Sequence, residues 1–358
     1  MSVHEIIIII MAAFAVAGAV DKILGNRLGL GKEFENGILA MGSLAMAMLG
    51  IITIAPVLAN ILKPVVVPVY RFLGADPAMF AGTFFACDMG GAVLAREMTA
   101  DPQAALLGGV LTGAMLGGTI VFSIPVAMGI LREEDRPAMA KGMLAGFVTT
   151  PVGVLAGGLV AGFPVGMVLR NLIPIVLIAV LIAIGLWKAE KAMVKGFGVF
   201  GKGVITLVTI GLAAGIVESL TGWAIIPGMA PIEEGFQTVG AIAIVLAGAF
   251  PLVLVVTKLL RKPLMLLGKR LGVNDVAAAG LIASLANVIP TFEMVKDMDQ
   301  RGKVVNIAFA VSAAFVFGDH LGFTAGFAPE MLPAVIVGKL VGGVSAVAVA
   351  MWMTRKNA

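Results

Sequence analysis

Eleven apolar segments, each close to the length that crosses a membrane, fill most of this chain and constrain its fold more than any other feature. Their approximate limits are 4–20, 37–61, 78–95, 104–130, 139–161, 170–187, 199–217, 236–260, 276–294, 304–327 and 333–353. A spanning helix needs roughly 20 mostly apolar residues. The connections between the segments are short, so the pattern predicts an all-α polytopic membrane protein, with residues 1–358 forming a single transmembrane domain.

The composition also indicates a protein that is embedded in a lipid bilayer. The chain is 60% hydrophobic and 13% charged, whereas a soluble domain is about 45–50% apolar and about 25% charged. No basic residue precedes the first apolar run, so we expect a retained helix and not a cleaved signal peptide. The net charge of +4 is expected from basic residues gathered on one side of a membrane, not from a nucleic-acid partner.

Lysine and arginine positions predict the orientation, because basic residues collect in cytoplasmic links. Link 188–202 holds four lysines and is therefore predicted to be cytoplasmic. Link 218–235 holds no basic residue and is predicted to lie outside. The links on either side of segment 276–294 are both basic. Both would therefore be cytoplasmic, and this segment is predicted to enter and leave on one face. The C-terminus is then cytoplasmic.

The same argument applies to the first half of the chain, where two cytoplasmic links again enclose an odd number of apolar segments. Basic links 22–32 and 131–141 enclose three apolar segments, so one of these does not cross. Segment 78–95 is interrupted by Asp88-Met89-Gly90-Gly91 and is the natural choice. We therefore expect about nine spanning helices and two re-entrant hairpins. Lys339 is among the exceptions to the charge rule, and we place it near the outer end of the last helix.

Short matches between the halves predict an internal repeat. Residues 73–76 (LGAD) resemble residues 271–274 (LGVN), and the Lys-Pro pair at 63–64 matches that at 262–263, at offsets of 198 to 199 residues. With two non-spanning hairpins the second copy begins on the opposite side of the membrane. This predicts an inverted-topology repeat, 34–161 and 234–353, as in many secondary transporters.

Polar residues at the two hairpin breaks are candidates for substrate binding, since charge at membrane depth is costly and is often functional. Asp88 and Met89 lie at the first break, and Asn287 and Pro290 lie near the second. A carboxylate there could neutralise a cationic substrate, and an amide could bind a hydroxyl. The alternative for Asp88 is structural, either pairing with Arg96 or capping a half-helix.

A second candidate group is the pair Asp319-His320, with Thr119 at the matching place in the first half. The pair could bind substrate, relay a proton or only fix a helix break. Glycines 109, 113 and 117 have the spacing of helix packing. No phosphate-binding loop is present, and two histidines with one cysteine do not make a usual zinc site. We expect no cofactor and no metal.

Several long motifs resemble the ethanolamine permeases encoded in bacterial ethanolamine-utilisation operons. They are residues 80–83 (FAGT), 86–91 (ACDMGG), 119–125 (TIVFSIP), 277–280 (AAAG), 286–287 (AN), 299–303 (DQRGK) and 318–323 (GDHLGF). The resemblance covers nearly the whole chain. It implies uptake of ethanolamine across the bacterial cytoplasmic (inner) membrane, by alternating access.

The residues alone indicate less than the resemblance does. They indicate a small polar solute, and Asp88 favours a cationic one. A channel or transporter for another small polar solute stays open, as does an intramembrane enzyme, for which only Asp319-His320 would qualify. Expected partners are ethanolamine, membrane lipids and further copies of the chain.

Overall fold

The computed structural model describes residues 2–355, without the side chains of Glu190, Arg261, Leu264, Leu267 and Lys269. Within that range the backbone is helical and contains no strand. The helices are α1 Val3–Ile23, α2 Leu30–Phe72, α3 Ala78–Phe84, α4 Gly91–Met98, α5 Pro102–Ala105, α6 Ile124–Ile130, α7 Arg136–Val160, α8 Val165–Thr221, α9 Ile232–Leu271, α10 Asp275–Ala286, α11 Val288–Met294, α12 Gln300–Ala313, α13 Asp319–Phe327 and α14 Leu332–Met353. The α5 and α6 helices are joined by wide π-helical turns over Leu106–Gly117 and Thr119–Ser123.

Eight helical stretches of the described range are long and apolar enough to cross a membrane. They are Val3–Ile23, Leu30–Phe72, Pro102–Ile130, Glu133–Val160, Val165–Ala189, Lys191–Thr221, Ile232–Leu260 and Pro329–Met353. The α12 and α13 helices add a further apolar stretch that is broken at residues 314–318. The prediction of an all-α polytopic membrane protein is confirmed.

Large apolar side chains cover the outer surface of the bundle. Val16, Leu181 and Ile244 are 64%, 66% and 72% exposed. In water such a surface would be an aggregation or interaction site. In a bilayer such a surface contacts lipid.

The first re-entrant segment, here called hairpin 1 (76–99), returns to its starting level. Its two ends meet where the Thr99 hydroxyl donates to the Asp76 carboxylate over 2.8 Å. Both arms pack on the π-helical stretch between α5 and α6. A Cβ atom on Gly108 would lie 2.6 Å from the Ala78 carbonyl oxygen in the first arm, and one on Gly109 would lie 2.7 Å from Cβ of Ala95 in the second. The chain therefore reverses inside the bundle.

The predicted packing role of the glycine row is also confirmed. A Cβ on Gly113 would lie 3.0 Å from the Cys87 backbone nitrogen, and one on Gly117 would lie 2.0 Å from the Phe85 carbonyl oxygen. Any larger residue would push the hairpin away. Hairpin 1 and the π-helical stretch are thus in backbone contact along the glycine row.

The second re-entrant segment, hairpin 2 (274–299), closes in the same way. The Asn274 backbone N–H donates to the Asp299 carboxylate over 2.8 Å, and the Asn274 amide donates to the Asp297 carbonyl over 2.9 Å. Its arms are α10 and α11, separated at Asn287. Both hairpins predicted from the charge parity are therefore present as structural elements.

Equivalent helices of the two halves pack antiparallel. A Cβ on Gly37 of α2 would lie 2.5 Å from the Ala247 nitrogen of α9, whereas Leu49 lies against Gly235. In the other pair the Thr149 hydroxyl of α7 donates to the Gly342 carbonyl of α14. Eight residues further along α7, Gly157 lies against Ala334. Antiparallel packing of equivalent helices is what an inverted repeat produces. The boundaries 34–161 and 234–353 stay a prediction.

One predicted segment is shorter than its helix. Segment 37–61 is part of a 43-residue helix, α2, which continues through three prolines to Phe72. The separate segments 170–187 and 199–217 are confirmed, because α8 divides into the stretches Val165–Ala189 and Lys191–Thr221 at a kink at Ala189, where φ is −144° and ψ is 47°. Hydropathy alone marks where apolar residues are dense, and a helix can extend beyond that region.

Candidate functional site

The tip of hairpin 1 and the break between α12 and α13 meet at a central cavity of about 190 Å³. This volume is well above the ~10–15 Å³ that one water molecule requires. Its lining residues are Ser43, Leu44 and Ala47 from α2, Ala86, Asp88 and Met89 from hairpin 1, Gly118 and Phe122 from the helix that follows, and Phe315, Asp319 and His320. Four predicted site residues, Asp88, Met89, Asp319 and His320, are brought together here.

The glycines of hairpin 1 explain how Asp88 reaches the cavity. Gly90 has φ +98°, and a Cβ there would lie 2.1 Å from the Ile51 side chain of α2. A Cβ on Gly91 would lie 2.6 Å from the Phe85 carbonyl oxygen. Only residues without a side chain permit this turn, and the turn directs the Asp88 carboxylate, 16% exposed, into the cavity.

Asp319 and His320 follow the break between α12 and α13, and hairpin 2 stabilises this break through hydrogen bonds. The α12 helix ends at Ala313, and Phe315, two residues later, has φ +63°. The N–H groups of Phe315 and Phe317 then donate to the carbonyls of Ser284 and Leu285, over 2.9 and 2.8 Å. Backbone groups freed inside a membrane must find partners within the protein, and α10 supplies them. Asp319 begins α13 directly after this segment.

A chain of polar groups runs from the cavity into the protein interior. His320 Nε2 lies 3.9 Å from Asp88 Oδ1. On the other edge of the ring, Nδ1 lies 3.0 Å from Lys339 Nζ. Lys339 also donates to the Ala114 carbonyl in the π-helical stretch. Its side chain is only 1% exposed.

Lys339 corrects one prediction. We expected this lysine near the outer end of the last helix, where a long side chain can reach water. It is instead buried inside α14 and bonded to His320. The signal that could have found it was the lysine itself, a charge within an apolar segment.

Three predicted site residues lie apart from the cavity lining. The Thr119 hydroxyl is buried and donates to the Val311 carbonyl over 2.8 Å. The Asn287 side chain accepts from the Ile289 N–H over 2.9 Å and so caps α11. Pro290 is exposed on the same helix. Their assignment to the substrate stays a prediction, and the contacts seen here are structural.

The structural alternative for Asp88, pairing with Arg96, does not occur. The Arg96 guanidinium lies 3.8 Å from the centre of the Phe327 ring and donates to the Phe327 carbonyl over 3.4 Å. It therefore closes the far end of hairpin 1 against α13. Asp88 has no basic partner within its own hairpin.

One trio among the described residues has side chains of metal-binding type. Ligand atoms of Cys87, Asp88 and His320 lie within 4.8 Å of one another. The Lys339 amine on the same histidine disfavours a divalent cation there, because both carry positive charge.

The cavity combines acidic and aromatic groups. Asp88 and Asp319 line it together with the rings of Phe122 and Phe315, whose centroids lie 5.8 Å apart in an edge-to-face arrangement. His320 adds a polar ring nitrogen. Fold and cavity together define a polytopic helical membrane protein with an acidic internal site, an arrangement that suits membrane transport of small polar solutes.

Comparison with known proteins identifies the family. The family model described as "Ethanolamine utilisation protein, EutH" matches residues 3–353. The chain belongs to this family.

Curated relatives resemble the chain along its whole length. It is 60% identical over 356 residues to "Probable ethanolamine permease EutH" of Listeria monocytogenes, covering 99% of this chain and 95% of that protein. It is 48% identical over 395 residues to the protein of the same name in Salmonella typhimurium, covering 100% and 97%. No solved structure matches the chain. These relatives are named as permeases, which assigns the chain to membrane transport and not to the enzymes.

Proposed function

We propose that this protein takes up ethanolamine, a small cationic amino alcohol, by alternating access through the central cavity. The observation that carries the proposal is the Asp88 carboxylate, which faces the cavity from a glycine turn while the nearest arginine of its hairpin is engaged elsewhere. The substrate comes from the names of the relatives in Listeria monocytogenes and Salmonella typhimurium, which are 60% and 48% identical.

The ammonium group would sit between Asp88, Asp319 and the two phenylalanine rings. A carboxylate 4 Å from an ammonium gains about 4 kcal/mol at an effective dielectric of 20, before desolvation is subtracted. Aromatic faces add roughly 0.5–2 kcal/mol each for a desolvated cation. A neutral solute of the same size would gain neither contribution.

Alternating access is supported by where the cavity lies. Its walls come from both halves of the chain, with hairpin 1 on one side and residues 315–320 on the other. Both walls are broken helices, which can shift without losing a complete set of helical hydrogen bonds. A rocking motion of one half against the other would open the cavity to each side in turn.

The membrane would be the bacterial cytoplasmic membrane, with the C-terminus inside. Two glutamines allow a matched test, since Gln103 follows hairpin 1, Gln300 follows hairpin 2, and both are exposed. In a variant with Cys87→Ala, we expect Gln300→Cys to be labelled by an impermeant thiol reagent only from the cytoplasm and Gln103→Cys only from outside. Labelling of both from one side would contradict the inverted arrangement.

Counterflow in proteoliposomes tests the transport mechanism. Vesicles loaded with unlabelled ethanolamine should transiently concentrate labelled ethanolamine from outside, because a carrier returns faster when loaded. A channel would only equilibrate the label, and that result would replace the carrier with the channel alternative. Vesicles carrying Asp88→Asn serve as the binding-deficient control. Cross-linking in native membranes at rising dose would test whether the protein forms a homo-oligomer among its lipid partners.

A further inference from the structure

The least expected group near the cavity is a buried lysine that contacts no carboxylate among the residues that the structure describes. Lys339 is 1% exposed, and its two polar neighbours among the described residues are the Ala114 carbonyl oxygen and His320 Nδ1. A buried charge normally has a paired ion or an equivalent set of hydrogen bonds. The position of this one, behind a cavity-lining histidine, requires an explanation other than packing.

The hydrogen bond from Lys339 determines which ring nitrogen of His320 carries the proton. In its protonated form Lys339 has three donors and no acceptor. For the 3.0 Å contact to be a hydrogen bond, His320 Nδ1 must accept, and so it carries no proton. In a neutral imidazole the proton is then on Nε2, the nitrogen that faces Asp88. A doubly protonated ring would instead place two cations in contact.

The remaining gap at the cavity is suited to a ligand atom. His320 Nε2 and Asp88 Oδ1 are 3.9 Å apart, which is too far for a hydrogen bond between them. A hydroxyl oxygen placed beside them could accept from Nε2–H, while its own proton or the ammonium is shared with a carboxylate. The other charged or polar groups facing the ring are Asp319 on its own helix and Cys87 in hairpin 1.

We propose that Lys339 is a positioning residue for substrate specificity. By holding His320 in the tautomer protonated on Nε2, it gives the cavity one fixed donor for the hydroxyl of an ammonium alcohol. The carboxylates would then select the charge of the ligand, and the Lys339–His320 pair would select its hydroxyl. This inference rests on the proposed function, because it concerns the same cavity and the same class of ligand.

The first measurement reads the tautomer directly. The chain has two histidines, and the other, His4, is only partly buried near the N-terminus, so ¹⁵N-histidine spectra contain one fully buried ring. We expect the wild-type His320 spectrum to report protonation at Nε2 alone. Lys339→Gln, whose amide can still donate to Nδ1, should keep that spectrum. Lys339→Met, without a donor, should lose it. A wild-type ring protonated at Nδ1 would overturn the proposal.

The second measurement compares two ligands on purified protein. Ethanolamine and propylamine have the same length and charge, and a methyl group replaces the hydroxyl in propylamine. We expect the wild type to prefer ethanolamine roughly 5–10-fold, the value of one good hydrogen bond. Lys339→Met should reduce that preference to below about 3-fold while propylamine binds as well or better, because a nearby cation has been removed.

Controls separate the possible failures. Lys141→Met removes an exposed lysine and should leave both the preference and the spectrum unchanged. An unchanged preference in Lys339→Met would overturn the inference. If the wild type binds neither amine, the proposed function fails, and the ¹⁵N spectrum still tests the tautomer. If Lys339→Met does not fold, Lys339→Gln and the wild-type spectrum keep the proposal open to refutation.

Discussion

Hairpin 1 and hairpin 2 have the same shape and different uses. Each is a pair of short helices closed at its base by a hydrogen bond. At the tip of hairpin 1, Asp88 points into the cavity. At the tip of hairpin 2, the Asn287 side chain caps α11 instead. The carbonyls of hairpin 2 hold the broken segment from which Asp319 and His320 face the cavity. Equivalent positions in a repeat therefore need not carry equivalent chemistry.

The largest expected difference between the hairpins is in binding. Asp88→Asn keeps the shape of the side chain and removes its charge. We expect ethanolamine affinity to fall by roughly 2–3 kcal/mol or more, as when one partner of a buried charge pair is lost. Calorimetry or a thermal-shift titration would measure the loss. Asp275→Asn, an exposed carboxylate at the start of hairpin 2, is the matched control and should bind normally. If the affinity of Asp88→Asn is unchanged, Asp88 is not the counter-charge of the ammonium, and Asp319 becomes the next candidate.

The bases of the two hairpins should differ in their contribution to stability. Asn274 closes hairpin 2 with two hydrogen bonds and also caps α10, accepting from the Ala277 N–H. Asn274→Ala removes the side-chain bond to Asp297 and the cap but keeps the backbone N–H that bonds Asp299, and it should lower the free energy of unfolding by about 1–2 kcal/mol.

Thr99→Val removes the hydroxyl that donates to Asp76 at the base of hairpin 1 and accepts from the exposed Asp101 N–H, and it should cost about 0.5–1.5 kcal/mol. Thermal unfolding of the two purified variants and of the wild type in detergent would show which substitution lowers stability more. The reverse order would mean that the base of hairpin 1 is the stronger closure.

A smaller effect is expected at the tip of hairpin 2. Asn287→Ala removes a helix cap and should lower stability by about 1 kcal/mol. The affinity for ethanolamine should stay within about 2-fold of the wild type, equivalent to less than half of one hydrogen bond. Parallel melting and binding curves separate the two effects. A fall in affinity with unchanged melting would return Asn287 to the substrate site.

The smallest effect is the sharpest test of the comparison. Asn287→Asp places a carboxylate at the position matching Asp88, and aspartate caps a helix about as well as asparagine. Stability and binding should both be nearly unchanged. Combined with Asp88→Asn, it should not restore affinity, because residue 287 is not in the cavity lining. Restored binding would show that the two tips are interchangeable.

The sequence predicted the architecture better than the site. The hairpins followed from charge parity and from the Gly90-Gly91 break, which are local properties of the chain. Asp88 followed from the cost of charge at membrane depth. Asn287 was interpreted by analogy with Asp88, and the analogy could not reveal that asparagine also satisfies a helix end.

Lys339 was missed for another reason. It was expected near the outer end of the last helix, among the exceptions to the charge rule, where a long side chain can reach water. Its partners are 19 and 225 residues away along the chain, and no local pattern joins them.

The groups around the cavity also have an electrical consequence. With each group in its ordinary charge state, Asp88, Asp319 and Lys339 leave one uncompensated negative charge at the empty site. Binding of one ammonium would make the site neutral. A membrane potential does work on a moving charge of about 2.3 kcal/mol per 100 mV, so in the proposed carrier the voltage would act on the return of the empty site. The loaded site would cross without sensing the field.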